Sequence, residues 1–386
     1  MPADILLISE ARIPTVRLLE QILLHVTTQT GDVFRSRTLK ELSRRDLTAS
    51  TVPIFVRVDG TPAHRLMKLM RKFEVDYWYY LDDNFWELSQ ETALGRYYAD
   101  KHVRKHLEEL LGGAHRVLVS TPALRDYLHR FGDRVAQLDS FFNFSLVPHL
   151  PESPGIRPFV RGGFASSADR GVDLLPVVPE LFAALDAHPE LEFELIGPDY
   201  DAIPEHDRIR RFPILENYES YVRFQLERQW DFAIAPLSGV RSNQYKTDNK
   251  YREYAAFGIP GIYQESLPYE SVRDGETGLI VADTGRTWRE AIESYVGGPE
   301  LRAAVRTAAR EDVEQRRSID VVSSAWVREL ADAPQIGPQA ARLRRSVAAQ
   351  LSVVLFGTAV SSLIHEGPIT MSRRTVEYFG RRRPAR

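Results

Sequence analysis

Short apolar runs alternate with amphipathic stretches along this chain, and the alternation occurs twice. No other feature of the sequence limits its fold as much. In the first series DILLIS (4–9), VPIFVRV (52–58), VDYWYYL (75–81), Arg116–Ser120 and Val135–Leu138 have the content of buried strands. Helical stretches separate them. Val16 to Thr28 places Leu18, Leu19, Ile22, Leu23 and Val26 on one side, and His64 to Phe73 turns Leu66, Leu69, Met70 and Phe73 inward. Further helices fall near 97–111 and over Pro122–Phe131. The Pro- and Ser-rich segment 143–158 reads as a linker. The pattern then restarts with Phe159-Val160, which leads into a Gly162-Gly163 loop. It continues with a helix Val172–Ala187, strands Leu191–Ile196, Ile209–Ile214 and Trp230–Pro236, and helices near 217–229, 286–297, 299–316 and 319–330.

Strands that alternate with helices form a parallel sheet covered on both faces. The expected fold is therefore α/β: two Rossmann-like domains, 1–142 and 159–332, facing across a cleft, followed by a C-terminal tail over 333–386. Ligands then belong at the carboxyl ends of the strands, inside the cleft. The 386 residues suit two domains of this kind, each of about 150 residues. A formal net charge of -3 carries no nucleic-acid signature. There is no cysteine, so disulfides and Cys-based zinc sites are excluded. MPADILLISEARIP lacks a basic segment followed by a long apolar run, which leads to the expectation of a cytoplasmic protein.

Chemistry concentrates between Asn243 and Val281. Tyr251 to Phe257 is helical in composition, and Gly258 and Pro260 stop it. Ile259 to Tyr263 then reads as a buried strand. Lys250 and Glu253 lie three apart and share a helix face, with Lys246 and Asn243 in the loop before it. A helix start with neighbouring cations suits phosphates.

This stretch resembles the C-terminal sugar-nucleotide motif of GT-B glycosyltransferases, family 4 in particular. The matches are Lys250, Tyr251, Glu253, Tyr254, Ala256, Gly258 and Pro260, then Asp274-Gly275-Glu276-Thr277-Gly278-Leu279. The resemblance implies a metal-independent enzyme that takes a nucleotide sugar as its donor, with no further cofactor, and that retains anomeric configuration. It implies that Glu253 holds the ribose hydroxyls, and carboxylate-to-diol pairing is sound chemistry because two acceptor oxygens meet two O–H donors. Such enzymes often carry a first glutamate eight positions earlier; Tyr245 stands there. The segment Gly162 to Asp173 resembles their donor-diphosphate loop, which makes Gly163, Ser166, Ser167 and Arg170 candidates for that role. An ordinary turn with a surface arginine is the alternative. Lys246 and Lys250 are candidates for neutralising the departing diphosphate, and each can equally be solvated helix surface.

In the first half, Asp82-Asp83 ends an aromatic-rich strand, where one acid can serve as base toward an acceptor hydroxyl. Trp78, Tyr79, Tyr80, Phe85 and Trp86 can stack on sugar rings, although such residues are as often core and Asp-Asp-Asn is also a turn. The acceptor implied is a glycan, lipid-linked or small hydroxyl compound. At the C-terminus, Ser346 to Ile364 is uncharged and flanked by arginines (Arg342, Arg344, Arg345, Arg373, Arg374, Arg381, Arg382, Arg383, Arg386). Residues 342–386 are then either an interfacial anchor on an anionic membrane or a helix packed on the body or on a partner subunit, with a solvated basic tail. The competing function is a non-catalytic nucleotide- or glycan-binding assembly subunit.

Overall fold

The computed structural model describes residues 2–347 except 154, 156, 167–170, 198–201 and 216. Two parallel six-stranded sheets organise it. The first is built from β1 (Asp4–Ser9), β2 (Val33–Thr38), β3 (Thr51–Val56), β4 (Trp78–Leu81), β5 (Arg116–Val119) and β6 (Val135–Gln137), in the order β2-β1-β3-β4-β5-β6. Its connections are α1 (Pro14–Thr30), α2 (Thr61–Lys72), α3 (Ala93–Ala99), α4 (Lys101–Gly113) and α5 (Pro122–Leu128). The second sheet takes β7 (Val160–Ala165), β8 (Leu191–Ile196), β9 (Ile209–Phe212), β10 (Phe232–Ala235), β11 (Gly261–Gln264) and β12 (Leu279–Val281), in the order β12-β11-β10-β7-β8-β9. Around it lie α6 (Gly171–Leu174), α7 (Val178–Ala187), α8 (Tyr218–Arg228), α9 (Asn249–Phe257), α10 (Trp288–Gly297), α11 (Pro299–Arg317) and α12 (Ile319–Leu330).

Each central strand is buried on both faces, as parallel sheets require. Along β1, Leu6 and Ile8 join a cluster with Leu66 and Met70 of α2 and Leu110 of α4. Ile5 and Leu7 turn the other way, to Leu19 and Ile22 of α1. In β10, Phe232 and Ile234 meet α7 and α10, while Ala233 and Ala235 leave room for Tyr254 of α9. β2 does not stand out in the sequence because it is an edge strand, VFRSRT, without a fully buried residue.

The chain returns to its first lobe at the end. Val322 and Trp326 of α12 pack with Ile5, Val16 and Tyr80. Residues 333–338, the start of the expected C-terminal tail, run against the first lobe: the Ile336 amide donates to Thr51 O (2.9 Å) and the Gly337 amide to Ala49 O (2.8 Å). Residues 340–347 are helical, and Ala340, Leu343 and Val347 are buried in the first-lobe core. The described start of the expected membrane anchor is thus packed on the body, and the rest lies outside the described residues. No helix among those residues is long and apolar enough to cross a membrane.

Candidate active site

β4 delivers Asp82 and Asp83 at its carboxyl end. Thr15 donates to Asp82 Oδ2 at 2.5 Å. Arg57 Nη1 lies 3.4 Å from Asp82 Oδ1 and 3.3 Å from Asp83 Oδ2, so one guanidinium serves both acids. Arg57 follows β3 with φ of 48°, the left-handed region, and its amide donates to Tyr80 O at 3.2 Å. A non-glycine residue is held there only when its surroundings over-determine it. Here the two carboxylates and the Phe85 ring, 4.8 Å beneath the guanidinium, do so. Sequence reasoning missed Arg57; the available signal was a cation at the end of an otherwise apolar strand. Burial raises the pKa of Asp82 above the ordinary carboxylate range, with Arg57 working against it. Of the aromatic residues expected to stack on sugars, Trp78, Tyr79, Tyr80 and Phe85 are core instead. Trp86 alone among the five is half-buried, its Nε1 donating to Glu108 Oε1 (3.1 Å).

The second lobe meets this point through the segment before α9. Lys246 Nζ lies 2.7 Å from Asp83 Oδ1. Thr121 at the end of β5 donates to Tyr245 O (3.2 Å), and the Tyr245 ring stands edge-on to Tyr127 at 5.2 Å. Arg252 of α9 donates to Phe141 O of the first lobe and to Asp248 Oδ1 (2.7 Å). α9 ends as expected: Gly258 has φ of 68°, and its amide donates to Ala255 O and Tyr254 O. On the same helix Lys250 Nζ sits 3.7 Å from Glu253 Oε2. Burial first, and then the charge of the Glu253 carboxylate, raise the Tyr218 phenol well above its usual range.

The remaining candidates divide. The Ser166 amide, just past β7, donates to Ile196 O at 2.9 Å, which puts this serine at a strand end. Asn243 spends its amide nitrogen on Ser238 O and Oγ (3.0 Å each) and on Asp173 Oδ1 (3.3 Å), tying down its own loop. Gly163 departs from expectation. It lies inside β7 rather than in a loop, and a Cβ there would come within 2.2 Å of the Trp230 indole, so its bareness serves core packing. Ser167 and Arg170 lie outside the described residues. The site thus unites Asp82, Asp83, Arg57 and Lys246 across the lobes, with Lys250 and Glu253 on the adjoining helix.

Residues 179–327 match the family described as glycosyl transferase-like. No curated protein matches the sequence significantly. Among solved structures, sucrose-phosphate synthase from Thermosynechococcus elongatus superposes with a TM-score of 0.61 at 15% identity, covering 86% of this chain and 100% of that one. HepE from Anabaena, in complex with UDP, gives 0.58 at 11% identity, over 85% and 99%. TarM gives 0.54 at 12% identity, over 73% of this chain; the match spans only 55% of TarM. The two sheets superpose on the GT-B fold of these structures, and the second lobe is where the chain matches the glycosyl transferase-like family.

Proposed function

We propose that the protein transfers a sugar from a nucleotide-sugar donor to a hydroxyl of a glycan, lipid-linked or small acceptor. One observation carries the reading: Lys246 of the glycosyl transferase-like lobe meets Asp83 at a strand end of the other lobe, 2.7 Å apart. A donor bound there has cations on one side and carboxylates on the other. Glu253 accepts from the two O–H donors of the ribose diol. Lys246 and Lys250, with Ser166, Ser167 and Arg170, receive the diphosphate and stabilise the charge that develops as it leaves. That arrangement requires no metal. Asp82 or Asp83 faces the acceptor hydroxyl, and anomeric configuration is retained. A uridine donor is favoured, since HepE is solved with UDP and with UDP-glucose. Work at the cytoplasmic face of a membrane in polysaccharide assembly fits this chemistry.

Calorimetry with UDP tests the donor site. Glu253→Ala weakens binding by roughly ten- to a hundredfold, the scale of lost hydrogen bonds to a charged group, while the melting temperature holds. Unchanged UDP affinity removes Glu253 from the site. A second reading, a non-catalytic binding subunit, is favoured by Tyr245, whose ring packs on Tyr127 where a first glutamate would stand. Turnover of a panel of UDP-sugars with water or acceptor separates the two; binding without any turnover selects the subunit.

A further inference from the structure

We propose that a cavity at the opposite end of the second sheet from the candidate active site is a phosphate-binding site. It lies at the amino ends of β10 and β11, bounded by Trp230, Gly258, Ile259, Gln225 of α8, Arg306 of α11 and Pro151, with a volume of about 70 Å³. Exposed Glu152 and Gln229 line its solvent side.

Its polar groups are unusual for a core. Gln225 is fully buried, and neither its Nε2 nor its Oε1 has a hydrogen-bond partner. Arg306 is 9% exposed; one Nη donates to Pro151 O, while Nε has no acceptor. Its charge is not balanced by an ion pair among the described residues, and burial alone lowers its pKa. One helical turn on, Arg310 shows the contrasting, satisfied arrangement: it donates to Ala256 O (2.7 Å), Val147 O (2.9 Å) and Glu314 Oε2 (3.1 Å). A buried polar group without a partner costs about 1–3 kcal/mol, so the unmet atoms in this cavity mark it as built for a ligand.

The unmet groups define the ligand. Arg306 Nε–H and Gln225 Nε2–H are donors, and Gln225 Oε1 is an acceptor. Phosphate near neutral pH offers both acceptor oxygens and an O–H donor on one small tetrahedral ion. Sulfate and carboxylates have no such O–H and leave Gln225 Oε1 unmet. The volume admits a phosphate ion but not a nucleotide, and a phosphate monoester is mostly the dianion near neutral pH, without the O–H, so the ligand is inorganic phosphate.

Calorimetry on the full chain tests this, with inorganic phosphate, sulfate and glycerol 3-phosphate as probes. The expected result is saturable 1:1 phosphate binding, weaker for sulfate by roughly tenfold, the scale of one hydrogen bond. Gln225→Leu and Arg306→Gln each weaken phosphate binding by roughly tenfold or more, while a Lys246→Ala/Lys250→Ala double variant keeps it. Gln225→Leu also keeps or raises the melting temperature, because it removes two unmet polar atoms, so it remains informative if the arginine variant folds poorly. Glycerol 3-phosphate, whose head lacks the O–H near neutral pH, should bind more weakly than the free ion, and an ester that binds as tightly or more tightly overturns the assignment of inorganic phosphate. Absence of saturable phosphate binding overturns the proposal. So does binding that survives Gln225→Leu but vanishes in the lysine double variant, which would locate the ion in the cleft.

Discussion

Lys246 and Asp83, 163 positions apart in the chain, form a 2.7 Å ion pair that joins the two lobes. Their side chains are 27% and 18% exposed, so solvent screens the pair only in part. A double-mutant cycle with Lys246→Met and Asp83→Asn should give a coupling of about 1 kcal/mol that shrinks with added salt. Asp83 also competes with a diphosphate for the ammonium. Asp83→Asn should therefore tighten UDP binding by up to about fivefold, the equivalent of that coupling. Weaker UDP binding in this variant would show that Lys246 does not serve the diphosphate.

Arg57 combines strained backbone with a double ion pair, and the two contributions can be separated. Arg57→Ala and Arg57→Gly both leave Asp82 and Asp83 without their shared guanidinium, a loss of about 3 kcal/mol or more. Only alanine keeps the left-handed penalty. Glycine should therefore be the less harmful replacement, by about 1 kcal/mol. Urea unfolding of the two variants makes the comparison, and equal midpoints would mean that the backbone relaxes freely.

Asp82 gives the site a pH dependence of definite sign. Its folded pKa is raised, chiefly by burial. The folded chain thus holds this proton more tightly than the unfolded chain, whose aspartates titrate near about 3.9. The stabilisation is complete below that pH and is lost as pH rises through the folded value. Asp82→Asn does not suffer this loss. Its melting temperature relative to the wild type should be more favourable at pH 8 than at pH 4, and the reverse order would exclude a buried, proton-seeking Asp82.

The C-terminal segment yields a truncation experiment. Ile336, Ala340, Leu343 and Val347 are buried in the first-lobe core. Each large one contributes about 1.5–3 kcal/mol through burial. A chain ending at 332 should melt several degrees below one ending at 347. Liposome flotation of the 347-residue chain beside the full chain then measures the membrane contribution of residues 348–386, while the buried residues up to Val347 stay in place.

Local sequence was enough for most elements because each is written in short-range periodicity. DILLIS is a strand at 4–9, and α9 stops at Gly258 because glycine accepts the left-handed cap. The Lys250–Glu253 pair was equally legible, since helical spacing alone brings those side chains together. Other features depended on residues far away in the chain. Gly162 and Gly163 resembled a phosphate loop, yet they lie within a strand because Phe232 and Trp230, about 70 positions later, occupy the space their side chains would fill. Arg57 acquired its role only when β3 and β4 were laid side by side.

The order of elements, their amphipathic faces and the residue types at the candidate donor site were therefore determined by the sequence itself, through contacts within a few residues. Tertiary structure alone decided that Asp83 of the first lobe meets Lys246 of the second, that α12 and residues 333–347 return to the first lobe, and that Gln225 and Arg306 share one cavity. Each of these pairings spans a long stretch of chain. They are set by how two covered sheets and their connections pack in three dimensions, and no local pattern encodes that.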